Sequence, residues 1–129
     1  MLIDNVLAPR IIAAKRGLPY RVIDDLVTFK ATGEDTGGAY ALFEICTPPQ
    51  AGLPPHRQRF EDKSYFVLEG CYSIVIDGEA HTLGVGDFVF VPRGTTHAYT
   101  NCDAGPSRLL VMTTPGGIHE RFLAEAGEL

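Results

Sequence analysis

The chain is short of cysteine, of basic residues and of long apolar runs, and each shortage closes off a class of function. Lysine and arginine together number 11 against 16 aspartates and glutamates, a net charge of -5. With no basic run and no aromatic-basic stripe, the electrostatic footprint of a nucleic-acid partner is missing. The three cysteines, Cys46, Cys71 and Cys102, are odd in number, far apart in sequence and without C-x-x-C clustering. They make neither a disulfide framework nor a thiolate metal site, and reduced thiols are expected. No stretch approaches the roughly 18 apolar residues of a membrane span. The start, MLIDNVLAPR, has no basic region followed by an apolar one, so a cytoplasmic protein with no membrane partner is expected.

What the sequence does have is apolar content, 45%, sufficient for a core at this length, and many turn formers, with glycine 14 and proline 9. No linker or repeat divides it, so a single domain over 1–129 is expected. Residues 1–17 form an N-terminal extension whose apolar cluster Val6, Leu7, Ile11 and Ile12 is hard to leave exposed. Short strands are expected at Tyr20 to Ile23 and Leu26 to Lys30, joined at Asp24 and Asp25, and at Ala39 to Cys46. The Pro-rich loop TPPQAGLPP then delivers His56. Tyr65 to Leu68 and Tyr72 to Ile76 read as a hairpin around Glu69-Gly70, and Asp77-Gly78 is a second hairpin signal leading to His81 to Leu83. Leu109 to Thr113 is the last strand, and the spacing of Ile118, Phe122 and Leu123 predicts a short helix over 118–127. The order of these elements predicts an all-β antiparallel barrel or jelly roll with its core over about 39–115.

The most informative stretch is GDFVFVPRGTTHAYTN, Gly86 to Asn101, with the pattern G-x5-P-x-G-x2-H-x3-N. Phe88 to Val91 is a strand that Pro92 ends, and Gly94 permits the tight turn that brings His97 onto the next strand. This resembles the second motif of the cupin superfamily, matched at Gly86, Pro92, Gly94, His97 and Asn101. The first cupin motif lies upstream in degraded form: His56 and the closing Gly70 are in place, while Gln50 replaces the opening glycine, Gln58 the second histidine and Lys63 the glutamate. The resemblance covers at least Gly38 to Pro115, and the chain looks like small single-domain cupins of the quercetin dioxygenase-like group. It implies the double-stranded β-helix fold and an inward-facing ligand set.

Alternation puts His56 with Gln58, Lys63 with Tyr65 and Val67, and His97 with Tyr99 on one face each, and the resemblance makes that face the lumen. The four ligand positions then hold His56, Gln58, Lys63 and His97. Two imidazoles beside an ammonium make a poor divalent site. His81 and His119 are expected to be surface histidines. Tyr40, Leu42, Val67 and Met112 are expected to shape the lumen. Three readings stay open. In the first, a metal-poor cupin binds a small aromatic or carbonyl compound and catalyses proton transfer, cyclization or isomerization through Lys63, His56 and His97. In the second, a quercetinase-like dioxygenase holds weakly bound iron, nickel, manganese or zinc on His56, Gln58 and His97. The third is a ligand-binding module without catalysis. A homodimer is expected, because an open sheet edge and an apolar N-terminal segment would otherwise face water.

Overall fold

The computed structural model describes residues 7–118. Its strands are β1 (Leu18–Val22), β2 (Asp25–Ala31), β3 (Ala41–Thr47), β4 (Gly52–Arg57), β5 (Asp62–Glu69), β6 (Cys71–Ile76), β7 (Glu79–Gly84), β8 (Phe88–Val91), β9 (Thr96–Asn101) and β10 (Ser107–Thr114). They form a six-stranded sheet, ordered β1-β2-β3-β10-β5-β8, facing a four-stranded one, ordered β4-β9-β6-β7, and every pairing is antiparallel. This is the jelly-roll barrel the sequence predicts. Of the helix expected over 118–127, only Ile118 lies within the described residues, and His119 lies outside them. Among the described residues no helix is long and apolar enough to cross a membrane.

The period-2 pattern explains the packing. Along β3, Ala41, Phe43, Ile45 and Thr47 are buried while Leu42, Glu44 and Cys46 are not, and β10 repeats this with Ser107, Leu109, Val111 and Thr113 inside. With Val27, Phe29, Val67, Tyr72 and Ile74 these side chains fill the space between the sheets. The same alternation changes the expected set of lumen residues. Val67 points in, but Leu42 and Met112 lie on the outer face and Tyr40 is only half-buried, ahead of β3.

Two expectations about connections also change. Tyr65 to Leu68 and Tyr72 to Ile76 are not a hairpin: β5 pairs with β10 and β8, whereas β6 pairs with β7 and β9, so Gly70 is a corner between sheets. One residue is too short for a hairpin loop. Gly70 sits at φ +82°, and a Cβ there would lie 2.0 Å from the Ser107 hydroxyl, which is why only glycine makes this corner. The Pro-rich segment is not all loop either, since Gly52 to Arg57 is strand β4. It tolerates Pro54 and Pro55 because β4 is the edge of its sheet and its register with β9 shifts between Leu53 and His56. By contrast Asp77 and Gly78, at φ +48° and +84°, make the tight β6–β7 turn as expected.

Gln50, the replacement for the opening motif glycine, has φ +66°. The position calls for a left-handed backbone, and a side chain there costs about 1–2 kcal/mol of steric strain. Its amide donates to the Asn101 carbonyl at 3.1 Å, and the Asn101 amide donates to the Ala51 carbonyl at 2.8 Å. The start of the first motif is thereby fastened to the end of the second.

Candidate functional site

The site is assembled by strand register. β4 and β9 pair so that His56 stands opposite His97, and their rings lie 4.2 Å apart between centroids. Across the barrel, β5 presents alternate residues inward, and Lys63, Tyr65 and Val67 are all buried, as is Glu61 just before the strand. Gln58 follows the end of β4 and is half-buried; its backbone carbonyl accepts from the Gly94 amide at 2.7 Å, which ties the two motifs together at the barrel mouth. The predicted residues His56, Lys63 and His97 therefore converge on one end of the lumen.

Hydrogen bonds fix the tautomers. A carbonyl can only accept, so His97 Nδ1 donates to the Thr95 carbonyl at 3.3 Å and His56 Nδ1 donates to that of Pro54 at 3.0 Å. That leaves His97 Nε2 as an acceptor, and the Tyr65 hydroxyl donates to it at 2.8 Å. Burial and the neighbouring His56 and Lys63 charges lower the His97 pKa to about 4, so the ring is neutral at pH 7. Burial likewise lowers Lys63 to about 8, partly offset by the negative charge of Glu61. Lys63 does not carry its head out to solvent, being only 2% exposed. It stands in register with Thr113 of β10, and its Nζ lies 5.7 Å from the Tyr65 ring centroid.

Deeper in the barrel lies a polar layer that sequence reasoning missed. Asp25, read as part of a turn, opens β2 and is 2% exposed, and it accepts from the Tyr99 hydroxyl at 2.6 Å. Burial raises its pKa. The signal was present: extending the alternation of Val27 and Phe29 back by two residues reaches Asp25. Tyr72 donates to the Thr47 hydroxyl at 2.9 Å, and the rings of Tyr65, Tyr99 and Tyr72 stack edge to face in series. Asn101, the last residue of the second motif, is structural: its amide group bridges the carbonyls of Thr47 and Gly105. His81 is a surface histidine beside Glu79 at 3.4 Å.

A jelly-roll barrel whose strands aim two imidazoles into one end is the cupin architecture. The chain belongs to the cupin family: the cupin domain family model matches residues 43–113. It is 26% identical to quercetin 2,3-dioxygenase of Bacillus subtilis over 110 residues, 85% of this chain but 32% of that protein, so the chain spans about a third of the relative's length. Among solved structures, a predicted oxalate decarboxylase from Thermotoga maritima superposes with a TM-score of 0.76 at 17% identity, over 82% of this chain and 99% of that one. KdgF from Halomonas superposes at 0.70 and 16%, over 78% and 89%. These two likenesses show the fold.

Cupins often bind metals, and the donors of this chain can be tested for that. Among the described residues no three His, Cys, Asp or Glu side chains are grouped to hold a metal ion. Of the four ligand positions one carries an ammonium and one a neutral amide. The only lone pair His97 has for a cation is taken by the Tyr65 hydroxyl. The donor set does not fit a resident divalent cation.

Proposed function

We propose that this cupin binds a small carbonyl-bearing or aromatic molecule in its barrel and promotes proton transfer, cyclization or isomerization with Lys63, His97 and His56. The burial of Lys63 carries this reading. At a pKa of about 8 instead of 10.5, the fraction of neutral amine at pH 7 is roughly 300-fold larger than for an ordinary lysine. A neutral amine attacks a carbonyl carbon, and loss of one water gives a Schiff base whose positive nitrogen acidifies the adjacent C–H. Tyr65 stands ready to relay that proton, its oxygen receiving it as its own hydrogen passes to His97 Nε2. An imidazole with so low a pKa returns the proton readily.

The test uses pyruvate in deuterated buffer. Expected are deuterium exchange of its methyl protons and, with borohydride, a reduced adduct on Lys63; the chain has two other lysines, Lys15 and Lys30, as internal controls. Lys63→Met should lose both signals. Adducts on Lys15 or Lys30 alone, or exchange that survives the substitution, would overturn the assignment. If pyruvate, acetone and benzaldehyde all leave Lys63 unmodified, a binding module without turnover becomes the better reading. The similarity to a quercetin dioxygenase keeps one metal-dependent reading in view, with His56, Gln58 and His97 sharing an iron, nickel, manganese or zinc ion; it requires His97 to give up the Tyr65 bond.

We also propose that the working form is a cytoplasmic homodimer. The outer face of the six-stranded sheet aligns Leu42, Met112, Ser64 and Phe90 in one row and Glu44, Leu110, Phe66 and Phe88 in the next. Phe88 and Phe90 are more than half exposed, and the one charge in these rows, Glu44, is paired with Arg108 at 2.6 Å. So neutral a face meets a second copy about a twofold axis without the repulsion that a net charge of -5 imposes elsewhere. In the N-terminal segment Ile11 is 97% exposed, and it is a second candidate for the buried contact. Light scattering at tens of micromolar should report twice the chain mass. Phe88→Ser with Phe90→Ser should give monomer, and a monomeric parent would end the proposal.

A further inference from the structure

Cysteines that are strangers in sequence become neighbours in the fold. β9 runs antiparallel to β6, with Asn101 opposite Tyr72, and one step further out Cys102 meets Cys71, the Cys102 amide donating to the Cys71 carbonyl at 3.1 Å. Tyr72 and Asn101 are both buried in the barrel, so alternation turns the side chains of Cys71 and Cys102 together onto the outer face of the sheet. Opposed residues in an antiparallel pair have Cα atoms about 4.5–5.5 Å apart, inside the roughly 4.4–6.8 Å that a disulfide spans. The backbone around both is held: the Cys71 amide donates to the Ser107 hydroxyl at 3.0 Å, and the Asp103 amide to the Asn101 side-chain oxygen at 2.8 Å. Cys102 is exposed and Cys71 half-buried, so both are within reach of a small oxidant. Cys46 is elsewhere, on the outer face of β3 between Leu26 and Arg108.

We infer that Cys71 and Cys102 form a reversible redox pair, closed to an intrachain disulfide by a two-electron oxidant such as hydrogen peroxide. The exposed Cys102 sulfur attacks the peroxide, the O–O bond breaks, and Cys102 sulfenic acid and one water result. Cys71 then attacks the Cys102 sulfur, the S–O bond breaks, and the hydroxyl leaves as a second water with the Cys71 proton. Two thiols are oxidised by two electrons and one peroxide is reduced to two waters. Cys102 is the exposed member of the pair and Cys71 the half-buried one, so peroxide reaches Cys102 first and Cys71 takes the later, resolving part.

The test treats the full chain with excess hydrogen peroxide, alkylates it in denaturant and maps the peptides by mass spectrometry. Expected are loss of two of the three free thiols, a Cys71–Cys102 cross-linked peptide that dithiothreitol releases, and Cys46 left free. The closed form should melt at a higher temperature than the reduced one. Cys71→Ser should stop the reaction at a Cys102 sulfenic acid that dimedone captures, and Cys46→Ser should change nothing. Three thiols surviving the treatment, Cys102 advancing to the sulfinic acid with Cys71 untouched, or a bond found only between chains would each overturn the pair.

Discussion

Lowering the pH from 6.5 to 4 is expected to remove about 3 kcal/mol of folding stability through one side chain, His97. In the folded barrel its pKa is depressed to about 4, because burial and the charges of His56 and Lys63 all disfavour the imidazolium. In the unfolded chain it titrates near 6.5. Between those values the unfolded state binds the proton and the folded state does not, so stability is complete above about pH 6.5 and drains away as the pH falls through the window. Asp25 works in the opposite sense, since burial raises its pKa and the folded state then holds a proton that the unfolded state releases. The clean quantity is therefore the difference between parent and His97→Gln, measured by urea unfolding across the range. That difference should slope by about 3 kcal/mol. Parallel profiles for the two proteins would show that His97 is not held neutral by its surroundings. The functional link is direct, because only the neutral ring can accept the Tyr65 hydrogen bond on which the proposed relay depends.

How much of this was legible beforehand differs by kind of feature. Strand positions, the Asp77-Gly78 turn and the inward set Lys63, Tyr65, Val67, His97 and Tyr99 follow from alternation and turn chemistry, which are local. The pairing of β6 with β9, which is what joins Cys71 to Cys102, is a long-range property that no window of sequence contains. The same holds for the bond from Tyr65 to His97, formed between strands of different sheets. Asp25 was misread because aspartate beside aspartate is a strong turn signal, and tertiary burial outweighed it. Leu42 and Met112 were misjudged by one residue of register, which in a strand exchanges the lumen for the outer face.

Rebuilding the ligand set should produce a metal site at four positions whose present donors do not fit one. Gln58→His with Lys63→Glu restores three imidazoles and a carboxylate at the family's four positions, and the first cost of doing so is predictable. Glu61 is 1% exposed on the same inward face, so a second carboxylate at 63 places two acids together away from water and removes the ammonium whose charge now faces Glu61. The metal-free variant should therefore melt below the parent. Cobalt should reverse this, because a divalent ion neutralises both acids, and at about 100 times its dissociation constant mass action returns about 2.7 kcal/mol. The parent, which keeps Lys63, should show no comparable rise. His97 must still release Tyr65 to bind the ion, so adding Tyr65→Phe should tighten cobalt binding further. Visible absorbance from tetrahedral or five-coordinate cobalt gives a readout independent of any activity. Equal cobalt binding by parent and variant, or none by either, would mean that Gln58 and Lys63 are not what keeps metal out of this barrel.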